Sequence, residues 1–415
     1  MKKPLFWIFV LGFSLRAAVV LSGVGFDRDL AFFDARDYDQ HALHFLRGEG
    51  LTNGHTWASR LPLYPIFLAA VYRMFGHSYL AVRLIQSLLG ALAILLAYGI
   101  FRKSFSRKVS LWASFLGAIH PLLIRYAGNI LSETLSLFLL SVFLWVFLYQ
   151  KGWRRFWGGG ALFGVLLLCR ASMVFFLPLV LLHLCREGKG KPVRALVGFI
   201  LSVMLVMSPW VIRNYRLLHE FVPLTTNGGT TFWDANNPES LRDTAKTGIA
   251  SQWVMPGKVV KQEENGEILL SEVEGDRYLY KKGLLFWREL LRERPLSLGY
   301  LFLRKFLAAF SLHGGEGLAA LLGSIALYLV FLPWGLLRSR YLEKAPTLLY
   351  SVILQYVVCS LVFFGRAKYR VVIEPYLIAF ILLGALEFIG VLGRISRNNP
   401  RTKALRRASL AQGEW

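Results

Sequence analysis

Long apolar runs separated by short basic segments dominate this chain of 415 residues. Each run is about 20 residues long, enough to cross a hydrocarbon core of roughly 30 Å. The runs predict membrane-spanning helices near 5–25, 79–101, 109–126, 130–150, 195–212, 316–337, 346–365 and 371–393. The pattern therefore predicts an all-α polytopic membrane protein.

The apolar segment 158–185 has basic clusters at both ends, so the positive-inside rule assigns both ends to the cytoplasm. We predict two short helices that enter the membrane and return, with a turn near Arg170 and Ser172. A charged side chain at that depth faces inward by default and marks either a functional site or a pair with a core carboxylate. The notable candidate is Arg170, for which both interpretations stay open.

Two more apolar segments, 61–75 and 295–313, are predicted to lie along the outer interface as amphipathic helices. The first is too short to span comfortably, and a crossing by the second would leave the basic cluster 338–344 outside. With these assignments both termini and every basic cluster are cytoplasmic. The outer loops are then 26–78 and 213–315.

The charge distribution explains the formal net charge of +23 without a polyanionic partner. Short segments beside the apolar runs hold 22 basic and 3 acidic residues, whereas segment 213–294 holds 12 of each. This asymmetry is the positive-inside pattern, so nucleic-acid binding is excluded as the cause. The three cysteines lie in or beside apolar segments and indicate no disulfide framework.

Carboxylates are concentrated on the predicted outer side. The first loop carries Asp34, Asp37 and Asp39, and Glu133 lies at the outer end of a predicted span. Such acids can share general-base work or hold a divalent cation, Mg²⁺ or Mn²⁺, for which Asp34 and Glu133 are the candidate ligands. A solvated acidic loop is the alternative interpretation.

Cationic side chains are predicted at the same membrane level: Arg60, Arg125, Arg213, Arg366, Lys368 and Arg370. Guanidinium groups bind phosphate well, although lipid head groups would also satisfy them. The sequence has no phosphate loop, no dinucleotide fingerprint, no Gly-x-Ser-x-Gly elbow and no His-Glu-x-x-His pair. An enzyme with these acids and cations but no nucleotide site is consistent with a donor delivered through the lipid.

Several ordered motifs between residue 5 and about residue 393 resemble bacterial GT-C glycosyltransferases, in particular relatives of the protein O-mannosyltransferases and the aminoarabinose transferase of lipid A. They are DARDYDQHALHFLRGEGL followed by SRLPLYPIFLAAVY, then VRLIQSLLGAL, HPLLIRYAGNILSETL, PWVIRNY with FVPLTTNGGTTFWDANNP, and FFGRAKYRVVIEPYLIAF. The resemblance implies a GT-C helix bundle that transfers a sugar from a polyprenyl-phosphate donor, with inversion, to a glycan, lipid or protein acceptor.

The resemblance also implies roles for individual residues. Asp34 falls on the first-loop acid, Tyr38 on its paired tyrosine and Glu133 on the second acid. Ala35 replaces the glutamate of one subgroup, so Asp37 and Asp39 are further candidates to share the catalytic role. The resemblance places donor phosphate at Arg60, Arg366 and Arg370, and their common membrane level adds Arg213 and Lys368. The acceptor is expected beside Tyr38, Tyr64, Asn227, Trp233 and Asn236.

The sequence therefore predicts a catalytic membrane domain over 1–393 and a basic cytoplasmic tail over 394–415, in the inner membrane of a bacterium with the active site facing outward. Two alternatives stay open. One is a ligase or polymerase of the O-antigen type with a pyrophosphate-linked donor. The other is a flippase or transporter of lipid-linked saccharides, in which Arg16 and Arg170 line the route.

Overall fold

The structure is a computed structural model and describes residues 3–23, 33–187, 192–242, 257–263, 266–311, 323, 325–341 and 346–398. Within these ranges the chain is almost entirely helical, as predicted. The first helices are α1 Lys3–Ser22, α2 Phe33–Leu46, α3 Leu63–Phe75, α4 Tyr79–Phe101, α5 Arg107–Ile119, α6 Pro121–Ala127, α7 Glu133–Tyr149, α8 Gly159–Cys169 and α9 Leu177–Glu187. The remaining helices are α10 Pro192–Leu218, α11 Gly228–Ala235, α12 Pro238–Arg242, α13 Glu272–Glu293, α14 Pro295–Ala309, α15 Leu332–Ser339, α16 Thr347–Val362, α17 Ala367–Arg370 and α18 Glu374–Asn398.

Three shorter features complete the description. A π-helical turn spans Arg154–Gly158, a 3-10 helix spans Ala171–Phe176, and a second π-helical segment, Ile325–Phe331, leads into α15. Strands β1 Val260–Glu263 and β2 Gly266–Leu269 form an antiparallel hairpin in which Val260 pairs with Leu269. The predicted tail 394–415 lies outside the described residues beyond Asn398.

Four described helices are long and apolar enough to cross a membrane: Lys3–Ser22, Tyr79–Phe101, Pro192–Leu218 and Glu374–Val391. The predicted span 109–126 is divided into α5 and α6, because Pro121 starts a new helix after the extended residue His120. The predicted spans 130–150 and 346–365 correspond to the shorter apolar helices α7 and α16. The first part of the predicted span 316–337 lies outside the described residues.

The core of the bundle is apolar and rich in aromatic side chains. Helix α4 packs against α1, α5 and α7, and α8 packs between α7 and α10. Phe143, Phe163 and Phe199 join α7, α8 and α10 through ring contacts of 5.3–5.7 Å. A Cβ on Gly160 would lie 2.5 Å from the Phe199 carbonyl oxygen, so this glycine permits the close approach of α8 and α10.

The segment 158–185 forms the predicted hairpin. Helix α8 ends at Cys169, and Arg170 is extended with φ −149° and ψ 109° before the 3-10 helix begins. Cys169 contacts Ser136 in the first turn of α7, whereas Gly159 and His183 both lie against Phe147 near the end of α7. The hairpin therefore rises along α7 to the level of Glu133 and returns.

The two predicted outer loops meet at the Glu133 end of α7. Glu272, the first residue of α13, accepts hydrogen bonds at 2.7 Å from the backbone N–H groups of Trp57 and Ala58. The Thr226 N–H donates to the Ala58 carbonyl at 2.9 Å. These contacts join the segment before Arg60 to the segment that leads into α11, and they close one side of a polar site.

Candidate active site

Asp34 and Asp37 lie one turn apart on α2 and share one guanidinium group. Arg60 donates from Nη2 to Asp34 Oδ1 at 2.7 Å and from Nε to Asp37 Oδ2 at 2.5 Å. Asp37 is buried and also accepts from Asn53 Nδ2 at 2.7 Å, whereas the Asp34 side chain is 36% exposed. The geometry makes Asp34 the acid that a substrate can reach and Asp37 the acid that holds Arg60.

Glu133 is brought to the same place by α7. Lys368 Nζ lies 2.5 Å from Asp34 Oδ2 and 4.0 Å from Glu133 Oε1. Arg170, at the tip of the hairpin, lies 3.4 Å from the same Glu133 oxygen. The predicted convergence of Asp34 and Glu133 therefore occurs, and Lys368 lies between them. The two carboxylates are thus linked through the Lys368 ammonium and not by a direct contact.

The pKa of Asp34 is set by its two cationic neighbours. Burial would raise it, but Arg60 and Lys368 overcome this effect and hold the pKa of Asp34 well below its usual range. Burial would likewise lower the pKa of Lys368, but Glu133 and Asp34 raise it above its usual value. Asp34 is therefore ionised and Lys368 is charged at any physiological pH.

The predicted tyrosines lie at different depths. Tyr38 is on the site face of α2, with Arg60 4.9 Å above its ring and its hydroxyl 3.4 Å from Ser132 Oγ. Tyr64 lies behind it, with ring centroids 4.8 Å apart, and is fully buried with its hydroxyl donating to Gln86 Oε1 at 2.7 Å. Tyr64 therefore supports Tyr38 and does not line the site surface.

The predicted phosphate-binding cations divide into two groups. Lys368 and Arg60 contact Asp34, and Arg366 lies two residues before Lys368 with its guanidinium 4.8 Å above the Phe364 ring. Arg213 instead donates to the carbonyl oxygens of Trp57 at 2.6 Å and Leu51 at 2.7 Å, which anchors the first loop to α10.

Arg370 is also committed elsewhere. It is 1% exposed and donates to Glu374 Oε2 at 2.6 Å and to the Ala309 carbonyl at 2.9 Å. Glu374 is itself fully buried and accepts from the Tyr328 hydroxyl at 2.7 Å. This buried pair joins α18 to the end of α14, so neither Arg370 nor Arg213 is retained as a donor ligand.

The acceptor-side residues also separate. Asn236 is fully buried, and its Oδ1 accepts from Trp287 Nε1 at 2.7 Å and from Lys305 Nζ at 2.6 Å. Trp233 packs in a second apolar cluster with Leu279 and Phe286, and Lys282 Nζ lies 4.5 Å from its ring centroid. Asn227, by contrast, directly precedes α11 and has a buried Oδ1 that meets no hydrogen-bond partner within the described ranges.

Sequence reasoning assigned no position to Lys368 between the acids, and it missed Glu272 and Asp234. The sequence named Lys368 but could not predict its contact with Asp34, because 334 residues separate the two in the chain. Asp39, the third acid of the first loop, points the other way: it accepts from the Tyr72 hydroxyl at 2.7 Å and contacts His77 Nε2 at 2.8 Å. Asp39 therefore fixes α2 to α3.

The residues at the site do not fit the expected divalent cation. The position between Asp34 and Glu133 is held by the Lys368 ammonium, and Arg60 and Arg170 pair with the same two carboxylates from the other sides. No group of three or more histidine, cysteine or acidic side chains with metal-site geometry occurs in the part of the chain that the structure describes. We therefore assign no step to a metal.

Comparison with known proteins agrees with this architecture. Residues 59–212 match the model of the family described as dolichyl-phosphate-mannose-protein mannosyltransferase. The fold matches crystal structures of the oligosaccharyltransferase from Archaeoglobus fulgidus, tethered to an acceptor peptide or in the apo form, with TM-score 0.54 and 14% identity over 97% of this chain and 52% of that one. The chain has the GT-C fold.

The GT-C resemblance seen in the sequence is thereby confirmed at the level of the fold and of a family match. A further structure of the archaeal enzyme AglB, with an inhibitory peptide and a dolichol-phosphate, matches with TM-score 0.53 and 13% identity over 96% of this chain and 52% of that one. The chain spans about half the length of these structures. A search of curated proteins with this sequence found no match.

Proposed function

We propose that this GT-C protein is an inverting glycosyltransferase that moves a sugar from a polyprenyl-phosphate donor to an acceptor at the outer face of a bacterial cytoplasmic membrane. The observation that carries the proposal is the contact of the partly exposed Asp34 with Arg60 and Lys368, beside Glu133. An accessible acid next to a phosphate-binding cation is what a single displacement at a glycosyl phosphate requires.

The reaction is a single displacement. The acceptor hydroxyl or amine attacks the anomeric carbon, and its proton passes to the Asp34 carboxylate. The bond between the anomeric carbon and the phosphate oxygen breaks, and its electron pair leaves with polyprenyl phosphate. Attack on the face opposite the leaving group inverts the anomeric centre. Asp37 takes no part in bond making but fixes Arg60, so we assign it a positioning role.

Lys368 links donor binding to the basicity of Asp34. A carboxylate whose pKa is held well below its usual range is a weak base. A donor phosphate that binds Lys368 partly neutralises the ammonium charge. Lys368 then lowers the pKa of Asp34 less, and that pKa rises toward its usual value. The acid therefore becomes a better proton acceptor only when the donor is in place. Charge-assisted contacts of this kind contribute roughly 1.5–3 kcal/mol each.

The family match supports a lipid monophosphate as the donor, since the family's description names a dolichyl phosphate sugar. The flippase alternative placed Arg16 and Arg170 along the route of the saccharide, but both side chains are engaged in contacts within the protein. Arg16 is 1% exposed and donates to the carbonyl oxygens of Gly12 and Ala118, both at 2.8 Å, and Arg170 pairs with Glu133. Neither guanidinium is left to accompany a moving saccharide.

The proposal is tested with the purified full-length protein in proteoliposomes. Undecaprenyl phosphate carrying radiolabelled mannose, glucose, galactose or aminoarabinose is supplied with membranes of a strain that lacks the gene as the acceptor source. We expect release of undecaprenyl phosphate from one of these donors by the wild type and not by Asp34→Asn. The same sugars on undecaprenyl pyrophosphate are the matched control. Use of the pyrophosphate series alone, or movement of the lipid without loss of its sugar, would refute the proposal.

A further inference from the structure

Helix α11 has one polar face that the reaction described above does not use. Asn227, Thr230 and Asp234 follow one another at spacings of three and four residues, so they share one side of the helix. The other side is committed to α13. A Cβ on Gly229 would lie 1.8 Å from the Asp276 carbonyl oxygen, and Phe232 stacks on Tyr280 at 5.2 Å.

The polar face holds three buried oxygens without hydrogen-bond partners within the described ranges: Asn227 Oδ1, Thr230 Oγ1 and Asp234 Oδ1. Thr230 is 1% exposed and Asp234 is 3% exposed. Leaving a buried polar group unpaired costs roughly 1–3 kcal/mol. Three such groups on one helical face are expensive for a structural role alone, and they indicate that a ligand completes them.

Arg366 lies close to this row, because Phe232 of α11 contacts Phe363, three residues before Arg366, with ring centroids 5.9 Å apart. Its positive charge acts on Asp234, yet no ion pair within 4.0 Å joins the two side chains, and Arg366 Nε is another buried group without a partner among the described residues. The Thr226 N–H is bonded to the Ala58 carbonyl, two residues before Arg60, and Arg366 is two residues before Lys368. The row thus extends the Asp34 site along α11.

We propose that Asn227, Thr230 and Asp234, with Arg366 nearby, form a subsite for the hydroxyl groups of a sugar ring. The set offers a carboxylate and an amide oxygen as acceptors, a hydroxyl that can donate or accept, and a guanidinium donor. This alternation matches vicinal sugar hydroxyls, each of which is both a donor and an acceptor. A phosphate would instead need several cations, and the row supplies one beside an acid.

The titration of Asp234 is consistent with this assignment. Burial raises the pKa of Asp234 to about 6, and Arg366 acts in the opposite direction. Above pH 6 the ionised carboxylate can accept hydrogen bonds from two sugar hydroxyl groups, which is its stronger binding form. We therefore expect sugar affinity to rise between pH 5 and 7.

The inference rests on the proposed function only for the identity of the reaction that uses the sugar; the binding site is tested separately. Methyl α-glycosides of mannose, glucose, galactose and arabinose are added to the detergent-solubilised full-length protein. Saturation-transfer NMR then reports contact with the ring protons. In parallel, the affinities for undecaprenyl phosphate with and without each sugar are measured by isothermal titration calorimetry.

We expect Asp234→Asn and Thr230→Val to weaken binding of a sugar-bearing ligand about fivefold to thirtyfold each, as the loss of one hydrogen-bonded partner implies. Thr231→Val is the matched control, because Thr231 Oγ1 already donates to the Asn227 carbonyl at 2.7 Å. The affinity for undecaprenyl phosphate without a sugar should stay unchanged in both variants.

The outcomes separate the two proposals. A loss confined to the sugar-bearing lipid assigns the subsite to the donor, and a loss confined to the free glycosides assigns it to the acceptor; both support the inference. Sugar binding that is sensitive to Asp234 in a protein that consumes no donor would refute the proposed function but retain the subsite. Sugar binding that is unaffected by both variants, or no sugar binding by the wild type, would overturn the inference.

Discussion

Asp34→Asn should mainly reduce activity and Asp37→Asn should mainly reduce stability, although the two acids share Arg60 and lie three residues apart. Asp34 is 36% exposed at its side chain and is held by two cations that each have a second acid nearby. In its absence Arg60 keeps Asp37, and Lys368 keeps Glu133. No buried charge is left alone, so the loss of stability should be about 1 kcal/mol or less.

The activity should nevertheless fall strongly in Asp34→Asn. An amide cannot accept the acceptor's proton, and a positioned general base contributes typically about 10²–10⁴-fold to the rate.

Asp37→Asn should instead affect stability more than activity. Asp37 is 5% exposed and accepts from both Arg60 and Asn53, so an amide there places a donor against a donor in a buried site. We expect a stability loss of about 2–4 kcal/mol and a smaller rate loss.

The two variants are compared in a strain that lacks the gene, because the return of its missing glycoconjugate can be scored before the acceptor is identified. Thermal unfolding of the purified variants gives the stability. Tyr38→Phe is the control for the face of α2, since it keeps the ring that packs on Arg60. Full restoration by Asp34→Asn, or a larger stability loss in Asp34→Asn than in Asp37→Asn, would refute this reasoning.

The same contacts lead to three more predictions. Lys368→Met should raise the KM for the donor about tenfold or more and move the acid limb of the pH–rate profile to higher pH, because Asp34 loses one of the cations that lower its pKa; an unchanged limb would contradict the pairing. Arg370→Met should cost about 3–5 kcal/mol of stability, since it leaves the buried Glu374 carboxylate without its cation, with little change in donor KM for the folded fraction. The pKa of Asp234 is raised from 3.8 to about 6, so the folded state keeps this proton while the unfolded state loses it, and stability falls as the pH rises from about 4 to 6; Asp234→Asn should therefore lose less melting temperature than the wild type over that range.

The sequence predicted those features of the fold that depend on local composition and charge. Basic clusters on both sides of 158–185 were sufficient for the hairpin and its turn at Arg170. The short apolar segment 61–75 forms the predicted helix α3, with one face buried on the rest of the protein. Such features follow from residues that are close in the chain. The distribution of basic clusters adds the side of the membrane on which each loop is expected.

The partners of buried cations could not be predicted in the same way. Arg213 and Arg370 resemble phosphate ligands in sequence, but backbone carbonyls and Glu374 satisfy them. Backbone carbonyls carry no sequence signature, so an arginine that binds them looks identical to one that binds a ligand. The predicted metal site between Asp34 and Glu133 failed for a similar reason. Lys368, which lies there, is 334 residues from Asp34 in the chain, so its contact with Asp34 could not be predicted.

The most direct test of the account is an experimental structure of the full-length protein with undecaprenyl phosphate bound. We predict that the phosphate lies within hydrogen-bond distance of Lys368 Nζ and next to Asp34, with the polyprenyl chain in the bilayer. A phosphate bound at the opposite end of the bundle, near the basic segment 102–108, would contradict the central claim.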